Sequence, residues 1–240
     1  MNILLTGGSR GLGLAIARQQ LELGNTVFIV NRTLSTELSE LLECHRERAK
    51  FIECDLTHPD TIKETIFDQH LGNNVPIHGF VNNAAIAYDD LVSNLDLGSL
   101  ETMFHVNVFS PMAFTKQIVR NMLLHRTAGS IVHVSSICSR KGYKGLAMYA
   151  ATKGAIESFS KSLAREWGSM GIRSNCVVPG FMKTSMSSTL TEDQREKIYS
   201  RTALKAATSI ESVTATVAFL LSNASCSVTG QEFIVDAGTI

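Results

Sequence analysis

Seven short apolar runs, separated by segments of helical character, constrain this chain more than any other feature. They are Asn2–Thr6, Thr26–Val30, Lys50–Cys54, Ile77–Val81, Ser130–Val134, Ile172–Val178 and Glu232–Val235. The runs are apolar on both faces, so they read as strands covered on each side. Helices are predicted at Leu12–Leu23, about 34–48, from Thr57 onward, about 99–125 and about 147–167. Gly24 is the expected stop of the first helix. Thr57 is a candidate cap, with Pro59 in the first turn. Pro111 is the expected kink in the long helix. Such alternation predicts a parallel sheet with helices on both faces, and 240 residues suffice to bury it as one domain over 1–240. The most irregular stretch, about 181–208, is a candidate substrate lid.

The first run feeds a glycine cluster, with glycines at 7, 11 and 13, immediately before the first helix. Glycines let a backbone turn tightly and approach a pyrophosphate, and the helix points its free N–H groups at that anion. At the end of the second strand, where an acidic residue would bind a ribose 2′-hydroxyl, stand Asn31 and Arg32, and Arg10 lies in the glycine loop. Two guanidinium groups and no carboxylate suit a 2′-phosphate, which predicts NADPH over NADH. The competing reading is two solvated surface arginines.

Tyr149 and Lys153 are four residues apart on a predicted helix and share a face. Ser136 ends the fifth strand, where chemistry gathers in parallel sheets. Reducing a ketone needs a hydride on carbon and a proton on oxygen. A tyrosine can supply the proton, a nearby ammonium is expected to bring its pKa down, and a serine hydroxyl can hold the carbonyl.

These pieces, with Cys54–Leu56, Asn82–Ala85, Asn107, the thirteen-residue gap from Ser136 to Tyr149, and Val178–Thr184, resemble the short-chain dehydrogenase/reductases along nearly the whole chain. The resemblance implies a doubly wound, Rossmann-type sheet of seven strands and a catalytic tetrad of Asn107, Ser136, Tyr149 and Lys153. It implies that Lys153 also binds the nicotinamide ribose and that Asn107 holds a water in a proton relay. Carried over residue by residue, the cofactor would meet Gly7, Ser9, Arg10, Gly11, Leu12, Gly13, Asn31, Arg32, Asp55, Leu56, Asn83, Ala84, Pro179, Gly180, Met182 and Thr184. Asp55 would contact the adenine amino group, the Asn82–Ala84 segment the adenosine ribose, and Thr184 the carboxamide. Ala85 stands where the family has glycine, which should narrow the groove slightly.

Within the family the chain looks most like the 3-oxoacyl-thioester reductases, from Ser160–Glu166, Pro179–Thr184 and Thr229–Val235. Phe181, Met182, Met186, Leu190, Ile198 and Tyr199, with Cys138, Tyr143 and Leu146, would make a mostly apolar pocket. Arg140, Lys141 and Lys144 form a candidate basic rim for a pantetheine phosphate or an acidic acyl carrier protein; a solvated charge cluster is the competing reading. Met170 departs from the basic residue often found there in carrier-dependent reductases. Other carbonyls, of a sugar, polyol, steroid or specialised pathway, stay open. So does a silent NADPH sensor, which the complete tetrad disfavours.

Lys plus Arg and Asp plus Glu are both 22, so nothing favours nucleic acid or an anionic membrane as partner, and self-association is permitted. Five cysteines without a CxxC pair fit a reduced, cytoplasmic protein with no metal site. No signal peptide and no transmembrane run is expected. By resemblance, the two long helices would pack against their copies in a homotetramer or homodimer.

Overall fold

The computed structural model describes residues 1–72, 74–183 and 191–240. It holds a seven-stranded, wholly parallel sheet: β1 (Asn2–Thr6), β2 (Thr26–Asn31), β3 (Ala49–Glu53), β4 (Gly79–Asn82), β5 (Ser130–Val134), β6 (Arg173–Pro179) and β7 (Glu232–Val235). Their order is β3-β2-β1-β4-β5-β6-β7. The chain winds outward from β1 to β3, then returns to place β4 on the other side of β1. The crevice above the ends of β1 and β4 is therefore the switch point where such sheets bind ligands.

Period-two geometry explains why the strands are apolar throughout. Ile3 and Leu5 point to one face and Leu4 to the other, all buried. The first face is packed by α1 (Gly11–Glu22), α2 (Thr36–Cys44) and α7 (Ile210–Leu221), through Ile16, Leu38, Val213, Val217 and Leu220. The second is packed by a helix at Lys63–Leu71, by α4 (Ser110–His125) and by α5 (Ala147–Trp167). Phe80, Phe114, Ile118 and Ile131 lie at its centre, with the Phe80 and Phe114 rings stacked 5.7 Å apart.

Several local expectations are met and others are not. Gly24 ends α1 in the left-handed region, at φ 83°. The segment about 34–48 is helical only over Thr36–Cys44, with Ser35 accepting a cap bond from the Leu38 amide. Thr57 is not a helix cap. Its amide and hydroxyl both donate to Asp55 Oδ1 at 2.9 Å, and a short 3-10 turn at Pro59–Thr61 leads into the i→i+5 helix Lys63–Leu71.

The long helix is three pieces: α3 (Leu97–Phe104), an i→i+5 wide turn at His105–Phe109, and α4. Pro111, in the first turn of α4, cannot donate, so the tight ladder cannot run unbroken through this point. A short polar helix, α6 (Glu192–Tyr199), opens with a capping box on Thr191 and Gln194 and buries none of its residues. Among the described residues no helix is long and apolar enough to cross a membrane.

Candidate active site

The nucleotide end is built from backbone. Gly7 leaves β1 with φ 72°, and a Cβ there would come within 2.8 Å of the Ala84 Cα. A Cβ on Gly13 would lie 2.0 Å from the Gly7 carbonyl oxygen, so α1 starts flush against the loop. Asn83 reaches across from β4 and donates to the carbonyls of Thr6 (3.1 Å) and Gly7 (2.9 Å). The Thr6 hydroxyl accepts the Asn83 and Ala84 amides in return. Helix α1 begins at Arg10 with no side-chain cap and no acidic residue in its first turn. Its leading N–H groups are thus left to an anion, and the cradle has no room for anything larger than glycine. Both features fit the pyrophosphate of a dinucleotide.

At the adenosine end the expected residues divide. Arg10 and Arg32 are exposed, and among the described residues their guanidinium groups make no hydrogen bond or ion pair. Asn31 is committed: its amide donates to Ser9 Oγ (2.9 Å) and the Thr33 carbonyl (3.0 Å). Ser9 is buried, and its carbonyl takes the Ser35 hydroxyl. Asp55 is held below the usual carboxylate range, first by the Thr57 amide. Leu12 and Leu56 offer backbone only, because their side chains are in the two cores and the Leu56 carbonyl accepts the Ser110 hydroxyl. Asn82 is turned into the sheet, its amide 3.3 Å from His133 Nδ1.

The substrate end lies at the carboxyl end of β5. Ser136 starts a 3-10 turn, Ile137–Ser139, and its hydroxyl accepts the Cys138 amide at 3.3 Å. Tyr149 and Lys153 present one face of α5 to it. The Lys153 ammonium is buried, donates to the Val134 carbonyl at 2.9 Å, and sits 5.5 Å from the Tyr149 ring centroid. Asn107 lies in the wide turn before α4. Its Oδ1 accepts the Ile86 amide, and its Nδ2 donates to the Ile86 carbonyl (2.8 Å) and to Thr152 Oγ1 (3.1 Å). The Asn107 side chain therefore ties the loop after β4 to the first turns of α5.

The electrostatics correct one expectation. The lysine was expected to lower the phenol pKa. Instead burial raises it above its ordinary value, the nearby Cys138 adds to that, and only the Ser136 hydroxyl pulls the other way. Burial draws Lys153 down to about 8, against the support of Cys176, Cys138 and Glu157. The phenol is therefore in the protonated form a donor needs, and the Lys153 ammonium beside it is what would offset the cost of the phenolate left behind.

The remaining predicted residues are scattered in role. Gly180 is hemmed by Thr208 and Asp236, while Pro179 is paired with Val235 at the end of β6. Met182 packs against the first core. Phe181 meets Tyr199 with ring centroids 6.0 Å apart. Thr184, Met186 and Leu190 lie outside the described residues. The basic rim is exposed but partly neutralised: Arg140 pairs with Glu157 and Glu232, Lys141 donates to the Thr239 carbonyl, and Lys144 is exposed. Met170 is exposed. Sequence reasoning passed over Glu157, although its place four residues after Lys153 was a visible signal.

A family model described as enoyl-(acyl carrier protein) reductase matches residues 7–239. The 3-oxoacyl-[acyl-carrier-protein] reductase FabG of Chlamydia pneumoniae is 33% identical over 241 residues, covering 98% of this chain and 95% of that protein. The enzyme of the same name from Pseudomonas aeruginosa is 32% identical over 242 residues, with the same coverage. Among solved structures, a gluconate 5-dehydrogenase from Burkholderia cenocepacia, in complex with NADP and tartrate, superposes with a TM-score of 0.91 at 26% identity, covering 99% of this chain and 94% of that one.

Proposed function

The chain belongs to the short-chain dehydrogenase/reductase family, as an NAD(P)-dependent oxidoreductase acting on CH–OH or C=O groups, and we propose that it is an NADPH-dependent reductase of 3-oxoacyl thioesters. The observation that carries the NADPH-dependent reductase reading is the convergence of Ser136, Tyr149 and Lys153 at the end of β5, with a glycine cradle and two exposed arginines at the nucleotide end. The cofactor, when bound, supplies the hydride. Ser136 and Tyr149 hold the substrate oxygen between two hydroxyls, and Tyr149, kept protonated by burial, donates its proton as charge develops there. Lys153 supplies a positive charge beside the phenol, which stabilises the phenolate once the proton has left. Asn107 holds the loop after β4 against α5 and so fixes one wall. By resemblance to the family, Thr184 would lie near the nicotinamide carboxamide, which goes with the same proposal. Arg10 and Arg32 would grip the 2′-phosphate of NADPH.

The thioester assignment rests on the named relatives. A second reading, a sugar or polyol substrate, draws on a specific observation: Arg140 is paired with two glutamates, which leaves a weaker basic rim of Lys141 and Lys144 to meet a pantetheine phosphate or an acidic carrier. We also take the protein to be cytoplasmic and to work as a homotetramer or homodimer.

The test follows NADPH oxidation with acetoacetyl-CoA, beside gluconate-type polyols with NADP. Turnover of the thioester supports the first reading. Turnover of polyols alone moves the assignment to the second.

A further inference from the structure

We propose that Glu157 is a positioning residue of this site, one that fixes the turn carrying Ser136. It rests on the oxidoreductase reading of Ser136, Tyr149 and Lys153. The Glu157 side chain is 8% exposed and sits one helical turn beyond Lys153 on α5. Its Oε1 accepts the Ser135 hydroxyl at 2.6 Å and shares the single Ser139 hydroxyl proton with the Ser136 carbonyl, each acceptor lying 2.6 Å from Ser139 Oγ. Those two serines bracket Ser136, one immediately before it and one three residues after. The other carboxylate oxygen pairs with Arg140 Nε at 3.2 Å. Arg140 turns its far nitrogen to Glu232 on β7, and Lys161 closes the outer end on Glu232 at 2.8 Å.

Two acids and two bases thus balance, and both oxygens of the buried Glu157 carboxylate have partners. The backbone of the turn after β5 is held by its own 3-10 bonds and by the Ser135 amide on the Val177 carbonyl, whereas the Ser136 hydroxyl itself makes one long bond, to the Cys138 amide. The geometry therefore makes the Glu157 carboxylate the anchor of the Ser136 hydroxyl. The same charge faces Lys153, whose other titratable neighbours are Tyr149 on its own helix, His133 and Cys138 from β5 and its turn, and Cys176 from β6.

The experiment compares wild type, Glu157→Gln and Ser139→Ala, with NADPH and acetoacetyl-CoA, across pH. Glu157→Gln is expected to lower kcat about tenfold while the Kd for NADPH stays within about twofold, because the hydroxyl loses its height and the cradle is untouched. Its alkaline limb moves to lower pH, since Lys153 has lost a negative neighbour. Ser139→Ala lowers kcat less and leaves the limb in place. A fall in melting temperature with kcat and pH profile both unchanged overturns the proposal. If Glu157→Gln does not fold, a Ser139→Ala enzyme with wild-type kcat overturns it. If wild type reduces no acetoacetyl-CoA, the thioester reading fails by itself. The crystal structure of Glu157→Gln then decides: Ser136 Oγ displaced from Tyr149 supports the anchor, and Ser136 Oγ in its original place overturns it.

Discussion

The two ends of the crevice are held by different means. At the nucleotide end, glycines and backbone groups meet across β1 and β4, and the side chains that cross, Asn83 and Thr6, bond only to backbone. At the substrate end, charged side chains from α5, β7 and the turn after β5 lock one another. The first kind of construction is steric and tolerates almost no substitution. The second is electrostatic, so it can be altered one charge at a time.

The largest effect that tests this contrast is chemical. Tyr149→Phe should lower kcat by about three orders of magnitude, as loss of a general acid does, while NADPH still binds. Fluorescence titration of NADPH beside a turnover assay separates the two. Loss of cofactor binding as well would mean that the ends are not independent.

Next comes Gly13→Ala. The new methyl would lie 2.0 Å from the Gly7 oxygen, which α1 can relieve only by moving. Overpacking of this kind costs about 3 kcal/mol, on the order of a hundredfold in NADPH affinity. A variant that binds normally would break the claim that the cradle is steric.

Arg32→Ala should then raise KM for NADPH about tenfold and leave that for NADH unchanged, as loss of one charged hydrogen-bonding partner would. Equal effects on both cofactors, in parallel steady-state assays, would remove the arginine from the 2′-phosphate.

Acidity sharpens the contrast further, because one group should act with opposite signs. Lys153 titrates near 8, so the reductive rate should fall as pH rises past about 8 and its ammonium is lost. Its folded pKa lies below its unfolded value of about 10.4, so between those limits the unfolded chain binds the extra proton. The Lys153 contribution to stability should therefore rise over the window in which activity falls. Urea midpoints of wild type and Lys153→Met at about pH 7 and about pH 9, roughly one unit either side of the transition, would show the gap between them change in that direction. The smallest effect belongs to Lys161→Ala at the solvent end of the ion network. An exposed partner should cost at most about 1 kcal/mol in stability and leave kcat alone.

The same contrast governs what could be read in advance. The glycine loop, the seven strands and the spacing of Ser136, Tyr149 and Lys153 were legible because each is a local pattern. Strand, turn and helix propensity lie within a few residues of one another. Arg140 was misplaced because its partners are 17 residues away on α5 and farther off on β7. From sequence it could only be counted as a charge on a loop. The tie of the Asn31 amide to Ser9 was not legible, because the two residues are 22 apart in the chain and meet only where β2 ends beside the glycine loop. The phenol of Tyr149 went the wrong way because proximity to Lys153 was visible and burial was not.

The wide turn at His105–Phe109 has a consequence for how this gene can vary. One residue beyond the α-helical count rotates everything before it by about 100° relative to everything after it. Leu97–Phe104 and Ser110–His125 therefore pack in different phases, and Asn107 meets Ile86 and Thr152 only because of the offset. Deleting any single residue between 105 and 109 would let the two helices fuse in one phase and swing Asn107 off its partners. The segment should accept changes of spelling at its outward positions but none of length.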